Sequence, residues 1–440
     1  MSKSMELPDC VYPKPAFSII PPCAPTPKHS LYLSNLDNQK FLRFSIKYVY
    51  LFKKCVSLDV LKSSLSRVLV DYYPLAGRLR RSSSIVCEDD DHKLEVDCNG
   101  QGAFFAEASM DATAQELLEL CKLPNDSWRK LLYKVEAQSF LDVPPLVIQV
   151  TRLGCGGMIL CTAINHCLCD GIGTSQFLKA WAHLTQHPNA ELTTPPIHTR
   201  HVLKLRDPPQ VHLTHPQYTR INPTQVDLHA LMFSQPLVPT SFTFGPSQVL
   251  RLKNRYEPSP KRVTTFEAVA AHTWRAWVKS LNPCPTLTVK LLFSVNVREK
   301  MKLPEGYYGN GFVLACAESV VRDLVAAGNL RHGLEMVQRA KARLDEGRVW
   351  SMVDLLEDET VGIDLSSSFV ISQWSRLGLE EVDFGEGKAL HVGPLTSSFY
   401  CLILPIVGDP HAVRVLVSVP ETVADTFRYH MALQESLATY

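Results

Sequence analysis

The stretch Asn165-His166-Cys167-Leu168-Cys169-Asp170-Gly171-Ile172-Gly173 gathers more groups able to do chemistry than any other part of this chain. An imidazole titrates near neutral pH and can take a proton from a hydroxyl or an amine as that group attacks. The glycines that follow let a ligand come close to the backbone. Two other readings stand beside that of a general base. An isolated histidine is more commonly a core residue with both nitrogens satisfied. His166, Cys167, Cys169 and Asp170 are also possible zinc ligands, but neighbours on one short turn do not readily close a tetrahedron and no second ligand pair follows, so no metal is expected.

The elements around this stretch decide how it is presented. Leu146 to Leu153 alternates as a strand, Gly154 to Gly157 supplies a turn, and Met158 to Ile164 reads as a continuous apolar strand buried on both faces. A helix is expected from Thr174, with Phe177, Leu178, Trp181 and Leu184 on one side. His166 then sits just past the carboxyl end of a buried strand, where open sheets present reactive groups. Upstream, the prolines between 21 and 27 impose an extended chain, Phe44 to Phe52 reads as a strand, and Ser57 is placed to cap a helix carrying Leu61, Leu65, Val68 and Leu69.

From about Gln186 to Val226 the chain is rich in proline, histidine and threonine and has little apolar periodicity, which predicts a solvated crossover linker. Its His198, His201, His212 and His215 lack the cysteine or carboxylate spacing of a zinc site. Beyond it, Thr264 and Glu267 form a capping box before a helix to about Trp277. Cys401 to Val407, a turn, Ala412 to Val419 and a helix after Pro420 repeat the strand, turn, strand, helix order of the first half. This predicts an α/β chain of two related halves, 1–190 and 227–440, joined by a linker over 191–226, with the histidine in the first half only.

Composition narrows the functions. A chain of 440 residues suits two or three domains with room for a buried site. Lysine plus arginine (45) nearly balances aspartate plus glutamate (44), with no basic stripe, so nucleic acid is not an expected partner. The longest apolar runs, such as Met158 to Ile164 and Phe399 to Val407, fall far short of the ~20 residues that span a bilayer. The proline-broken N-terminus does not read as a signal or transit peptide, and thirteen scattered cysteines suit reduced thiols, so a cytoplasmic protein is expected. A Gly-x-Ser-x-Gly elbow, a phosphate-binding loop and a dinucleotide fingerprint are all missing, which removes the usual parts of a serine hydrolase, a nucleotide-driven enzyme and a dehydrogenase.

His166 to Gly171 resembles the His-x-x-x-Asp-Gly signature of the plant BAHD acyltransferases. In order along the chain, Tyr72-Tyr73-Pro74-Leu75-Ala76-Gly77-Arg78, Asn296-Val297-Arg298, Tyr308-Gly309-Asn310 and Asp383-Phe384-Gly385-Glu386-Gly387 are similar to further motifs of that family. The last departs from the family's Asp-Phe-Gly-Trp-Gly by carrying Glu386. The resemblance implies two pseudo-symmetric chloramphenicol-acetyltransferase-like domains, each a mixed sheet flanked by helices, with His166 in a channel between them. It implies acyl-CoA as a co-substrate, no permanently bound cofactor and a monomer. It implies that Asp170 turns away from substrate to pair with Arg298, and that Asp383, Gly385 and Gly387 are structural. The Glu386 departure is then expected to cost packing.

On this resemblance His166 deprotonates the acceptor within one ternary complex, and Ser372 and Trp374, in a stretch similar to the family's Thr-Ser-Trp, are candidates to meet the oxyanion or the acceptor. Trp374 reads equally as an aromatic wall. Lys261 and Thr264 are candidates for the phosphates of coenzyme A, against a solvated lysine and a simple cap. Leu365 falls where shikimate-esterifying members have an arginine, and Ile46 and Tyr48 fall where those have small hydroxyl residues. Burying a carboxylate without a cationic partner is costly, so the expected acceptor is an apolar alcohol: a fatty alcohol, an omega-hydroxy acid or a monolignol. The expected acyl group is aromatic. Amine acceptors, and a non-catalytic relative acting as a partner in lipid elongation, stay open.

Overall fold

The computed structural model of the chain describes residues 6–82, 93–220, 235–256, 262–327, 329–396 and 400–432. Two six-stranded mixed sheets organise them. The first runs in the order Phe17–Ile20, Ala103–Met110, Leu146–Leu153, Met158–Asn165, Ser45–Phe52, His391–Pro394. The second runs Leu237–Phe244, Asp409–Pro420, Cys401–Ile406, Ser368–Gln373, Thr288–Asn296, Phe312–Val320. In each the inner pairings include parallel neighbours, as in Ala103–Met110 with Leu146–Leu153 and Thr288–Asn296 with Ser368–Gln373.

Met158–Asn165 is buried at every position, and so is Leu146–Leu153 apart from Arg152. The alternation read for the latter strand therefore does not mark a wet face. Helices α1 (Leu58–Asp71) and α3 (Gly171–Gln186) cover one side of this sheet, while α2 (Ala114–Leu120) and the turn around Trp128 cover the other. The α1 and α3 helices are tied by the indole of Trp181, which donates to the carbonyl of Leu61 and to Ser64 Oγ. In the second half the helix Thr265–Leu281 puts Trp274 and Trp277 into the core. It outruns the predicted end because no breaker precedes Asn282, which closes it in the left-handed conformation at φ 44°.

Three expectations are corrected. Ser57 stands at the start of α1, but its hydroxyl makes no capping bond; only its carbonyl accepts, from Leu61. The helix after the histidine begins at Gly171, three residues before Thr174, because Asp170 caps it. The linker is not simply solvated: Arg200, Leu203, His215 and Gln217 are buried, and Tyr218–Arg220 pairs with Val361–Ile363. Composition hides this because three of these four buried residues are polar and are held by bonds to distant parts of the chain, Arg200 to Leu168, His215 to Ser351 and Gln217 to Leu314. The first sheet also takes its last strand, His391–Pro394, from the second half, through pairing with Ser45–Phe52.

Candidate active site

His166 emerges from the end of the buried strand Met158–Asn165. Its backbone N–H donates to the carbonyl of Phe44 at 2.9 Å, and Asn165 Oδ1 accepts from the N–H of Cys167 at 3.0 Å, so the turn is fixed on both sides of the imidazole. The ring lies between Phe44 and Phe312, with centroids 5.5 and 5.8 Å away. It faces a cavity of about 590 Å³ whose wall comes from both halves of the chain: Phe41, Leu42, Phe44 to Lys47 and His166 from the first, Ser294, Phe312, Leu314, Ile363, Leu365, Val370 to Ser372, Trp374, Pro394, Thr396, Tyr400 and Leu402 from the second. No aspartate or glutamate is among the lining residues. Burial pushes the pKa of His166 down, against its own carbonyl, Asp170, Asn310 and Asp37, which favour the charged ring.

Asp170 does not face the imidazole. Its two oxygens take a bidentate pair from Arg298 at 2.7 and 2.8 Å and the N–H groups of Gly173 and Gly311 at 2.8 and 3.0 Å. Burial alone raises a carboxyl pKa, yet the Arg298 charge and these hydrogen bonds hold Asp170 below the ordinary range. Gly311 and Gly309 cannot carry a side chain here, since a Cβ would lie within 3 Å of the Arg298 and Arg200 guanidinium groups. With its acceptor sites filled by Arg298 and two backbone donors, Asp170 has no free lone pair for a triad with His166.

Sequence reasoning missed a second buried network beneath the site. Asp37 and Arg200 are both fully buried and approach to 3.7 Å. Asp37 also accepts from Ser34 and, at 2.9 Å each, from the backbone and the side-chain amide of Asn310. That same amide donates to the carbonyl of His166 at 2.8 Å, and Arg200 donates to the carbonyl of Leu168 at 3.0 Å while lying over the rings of Tyr307 and Tyr308. Asn310 had been visible as part of a motif. Asp37 and Arg200 carried no local signal, because only the fold brings residues so far apart in sequence together.

The remaining predicted residues divide. Ile46, Leu365, Ser372 and Trp374 line the cavity with His166. Tyr48 does not: it is buried behind Trp374, the two rings 4.7 Å apart, so it supports the wall instead of facing an acceptor. Asp383, Gly385 and Gly387 lie off the cavity; Asp383 Oδ1 accepts from the N–H groups of both glycines, whose φ angles of 104° and 101° favour residues without a Cβ. Phe384 packs in the core against Trp181 and Phe52. Glu386 is half exposed and pairs with Lys54 at 3.2 Å, so the departure at this position empties no packed site, contrary to expectation. Thr264 caps its helix by accepting from Glu267 N, and Lys261 lies outside the described residues. Among the described residues no group of three histidine, cysteine, aspartate or glutamate side chains could hold a metal ion, and no helix is long and apolar enough to cross a membrane.

Comparison with known proteins gives this geometry a context. Residues 16–434 match a family model described as Transferase family. The chain is 33% identical over 426 residues to an omega-hydroxypalmitate O-feruloyl transferase of Arabidopsis thaliana, covering 93% of this chain and 90% of that one. It is 36% identical over 386 residues to a benzyl alcohol O-benzoyltransferase of Petunia hybrida (86% and 81% covered). It is 32% identical over 422 residues to a fatty alcohol:caffeoyl-CoA acyltransferase of Arabidopsis thaliana (93% and 95%). Its fold is that of vinorine synthase, at a TM-score of 0.69 and 21% identity over 95% and 96% of the two chains. It is also that of F. graminearum TRI101 solved with ethyl coenzyme A, at 0.76 and 15% over 92% and 97%. The chain therefore belongs to this transferase family, the BAHD acyltransferases, and is an acyl-transferring enzyme.

Proposed function

We propose that this enzyme moves an acyl group from coenzyme A to the hydroxyl of an apolar alcohol, with His166 as general base. The observation that carries this reading is a largely apolar cavity, lined from both halves of the chain, with one imidazole and Lys47 in its wall and no carboxylate. His166 takes the hydroxyl proton as the oxygen attacks the thioester carbonyl. Ser372 Oγ–H, in the same wall, donates to the oxyanion that forms, and Trp374 backs it as an aromatic surface. Collapse breaks the carbon–sulfur bond, and the imidazolium returns the proton to the leaving thiolate. The ester and free coenzyme A leave, and His166 is neutral again.

The relatives use feruloyl, caffeoyl and benzoyl groups and fatty, omega-hydroxy or benzyl alcohols by name, which supports an aromatic acyl donor and an apolar primary alcohol here. Leu365 and Ile46 in the wall support the same acceptor class, since neither pairs with a carboxylate or a polyol. A polyamine acceptor fits less well, because no acidic side chain lines the cavity to hold its ammonium groups. Coenzyme A is proposed to pass between the halves as a co-substrate with its phosphates near Thr264 and Lys261, and the protein to work as a cytoplasmic monomer.

Purified protein given pooled acyl-CoA thioesters with hexadecanol, 16-hydroxyhexadecanoic acid, coniferyl alcohol and spermidine, with free thiol and product masses read, tests the proposal. Esters are expected, and His166→Ala is expected to lose about 100-fold or more in kcat. Amide products would move the assignment to amine acylation. Silence from folded protein across the panel would move it to a non-catalytic partner role, and a fully active His166→Ala would remove the base.

A further inference from the structure

The hydrogen bonds beneath the site constrain Asn310 more tightly than a packing role requires. A carboxamide offers two N–H donors and one oxygen. Asn310 Nδ2 stands 2.9 Å from Asp37 Oδ1 and 2.8 Å from the carbonyl of His166, and both of those groups can only accept. Both amide hydrogens are thereby used, and turning the amide over would set its oxygen against two other oxygens. Asp37 is itself held in place by Ser34, by the backbone N–H of Asn310 and by the buried charge of Arg200. The one group left over on Asn310 is Oδ1, which has no hydrogen-bond partner in the fully buried side chain; His166 Nδ1 is likewise buried and unpartnered.

We propose that Asp37 and Asn310 are positioning residues that hold the His166 imidazole as its Nδ1–H tautomer and leave Nε2 as the nitrogen that receives the acceptor proton. Nδ1 and Asn310 Oδ1 are both buried without a partner beside the bond from the Asn310 amide to the His166 carbonyl, and an N–H at Nδ1 gives the two oxygens a donor, whereas a bare Nδ1 would leave three acceptors together. The favourable influence of both groups on the protonated ring agrees with this arrangement. Asp170 cannot serve instead, being saturated by Arg298, Gly173 and Gly311. The inference rests on His166 as the base. It adds that base orientation comes from an uncharged amide, whose own orientation is set by a carboxylate on the far side.

The full chain labelled with ¹⁵N at histidine, with His166 assigned by its loss in His166→Gln, reports the tautomer directly through the ring nitrogen shifts and their long-range couplings. The expected spectrum has Nδ1 protonated at a pH where the ring is neutral. Asp37→Asn and Asn310→Ala are expected to yield a tautomer mixture and to lower kcat by about tenfold or more, with KM for donor and alcohol within about twofold. Asp37→Asn is also expected to move the acid limb of kcat/KM to lower pH. The charges near the ring are Asp37, opposed by Arg200, and Asp170, opposed by Arg298, and removing the first takes away one that favours imidazolium. Wild-type protein with Nε2 protonated overturns the proposal, as does a variant that loses turnover while keeping the Nδ1–H signature. If Asp37→Asn does not fold, the wild-type spectrum and Asn310→Ala decide the matter. Neither depends on which acyl group or alcohol is used, so a failure here is separate from a failure of the proposed reaction.

Discussion

The imidazole of His166 lies between Phe44 and Phe312, and that placement sets its acid strength. Burial depresses its pKa below the ordinary 6.5 more than the nearby acceptors and carboxylates restore it. The neutral, proton-accepting form therefore persists to lower pH than in a free histidine. The acid limb of kcat/KM should fall below pH 6.5 in a profile taken with a slowly reacting alcohol; a limb at or above that value contradicts the burial argument. His166 itself was legible from its neighbours in sequence and its position at a strand end. The bond from Asn310 to its carbonyl, and the hold of Asp37 on Asn310, were not, because these residues come from three separate regions of the chain that only the fold brings together.

At the scale of elements, Asp170 serves two structures with one carboxylate. It caps α3 through Gly173 N and it neutralises Arg298, whose side chain is nearly buried. Removing one member of such a pair leaves an uncompensated charge, which costs about 3–5 kcal/mol, and the lost cap adds about 1 kcal/mol. Asp170→Ala is thus expected to lose stability on that scale in urea unfolding, whereas a loss under about 1 kcal/mol would mean the pair is relaxed by solvent. The start of α3 was misread by three residues because Gly171 and Gly173 look like loop glycines. A Cβ at Gly173 would overlap the backbone of Tyr308, so that glycine marks a close approach inside the helix, not a break.

At the scale of the whole molecule, His198, His215, His272 and His391, among the described residues and away from the site, are carried neutral. Burial lowers His198, His215 and His272 to about 4 and His391 to about 3. In the unfolded chain each returns to the ordinary 6.5, so between roughly pH 6.5 and 4 the unfolded state binds more protons and stability rises with pH. The apparent melting temperature should therefore drop steadily as pH is lowered from 7 to 5, before the carboxylates titrate. An unchanged midpoint across that interval would show that these histidines stay accessible to protons when folded.

By itself the sequence determined the class of the fold and the presence of two related halves, and it singled out His166 as the candidate base, because apolar periodicity, turn residues and a strand-end motif are local properties. Only the tertiary structure decided that Asp37 meets Arg200, that Tyr48 stands behind Trp374, that Glu386 reaches Lys54 and that a strand of the second half completes the first sheet. Each of these is a pairing between residues more than a hundred positions apart. Such pairings depend on which surfaces meet once the hydrophobic faces are buried, and no window of neighbouring residues contains that information.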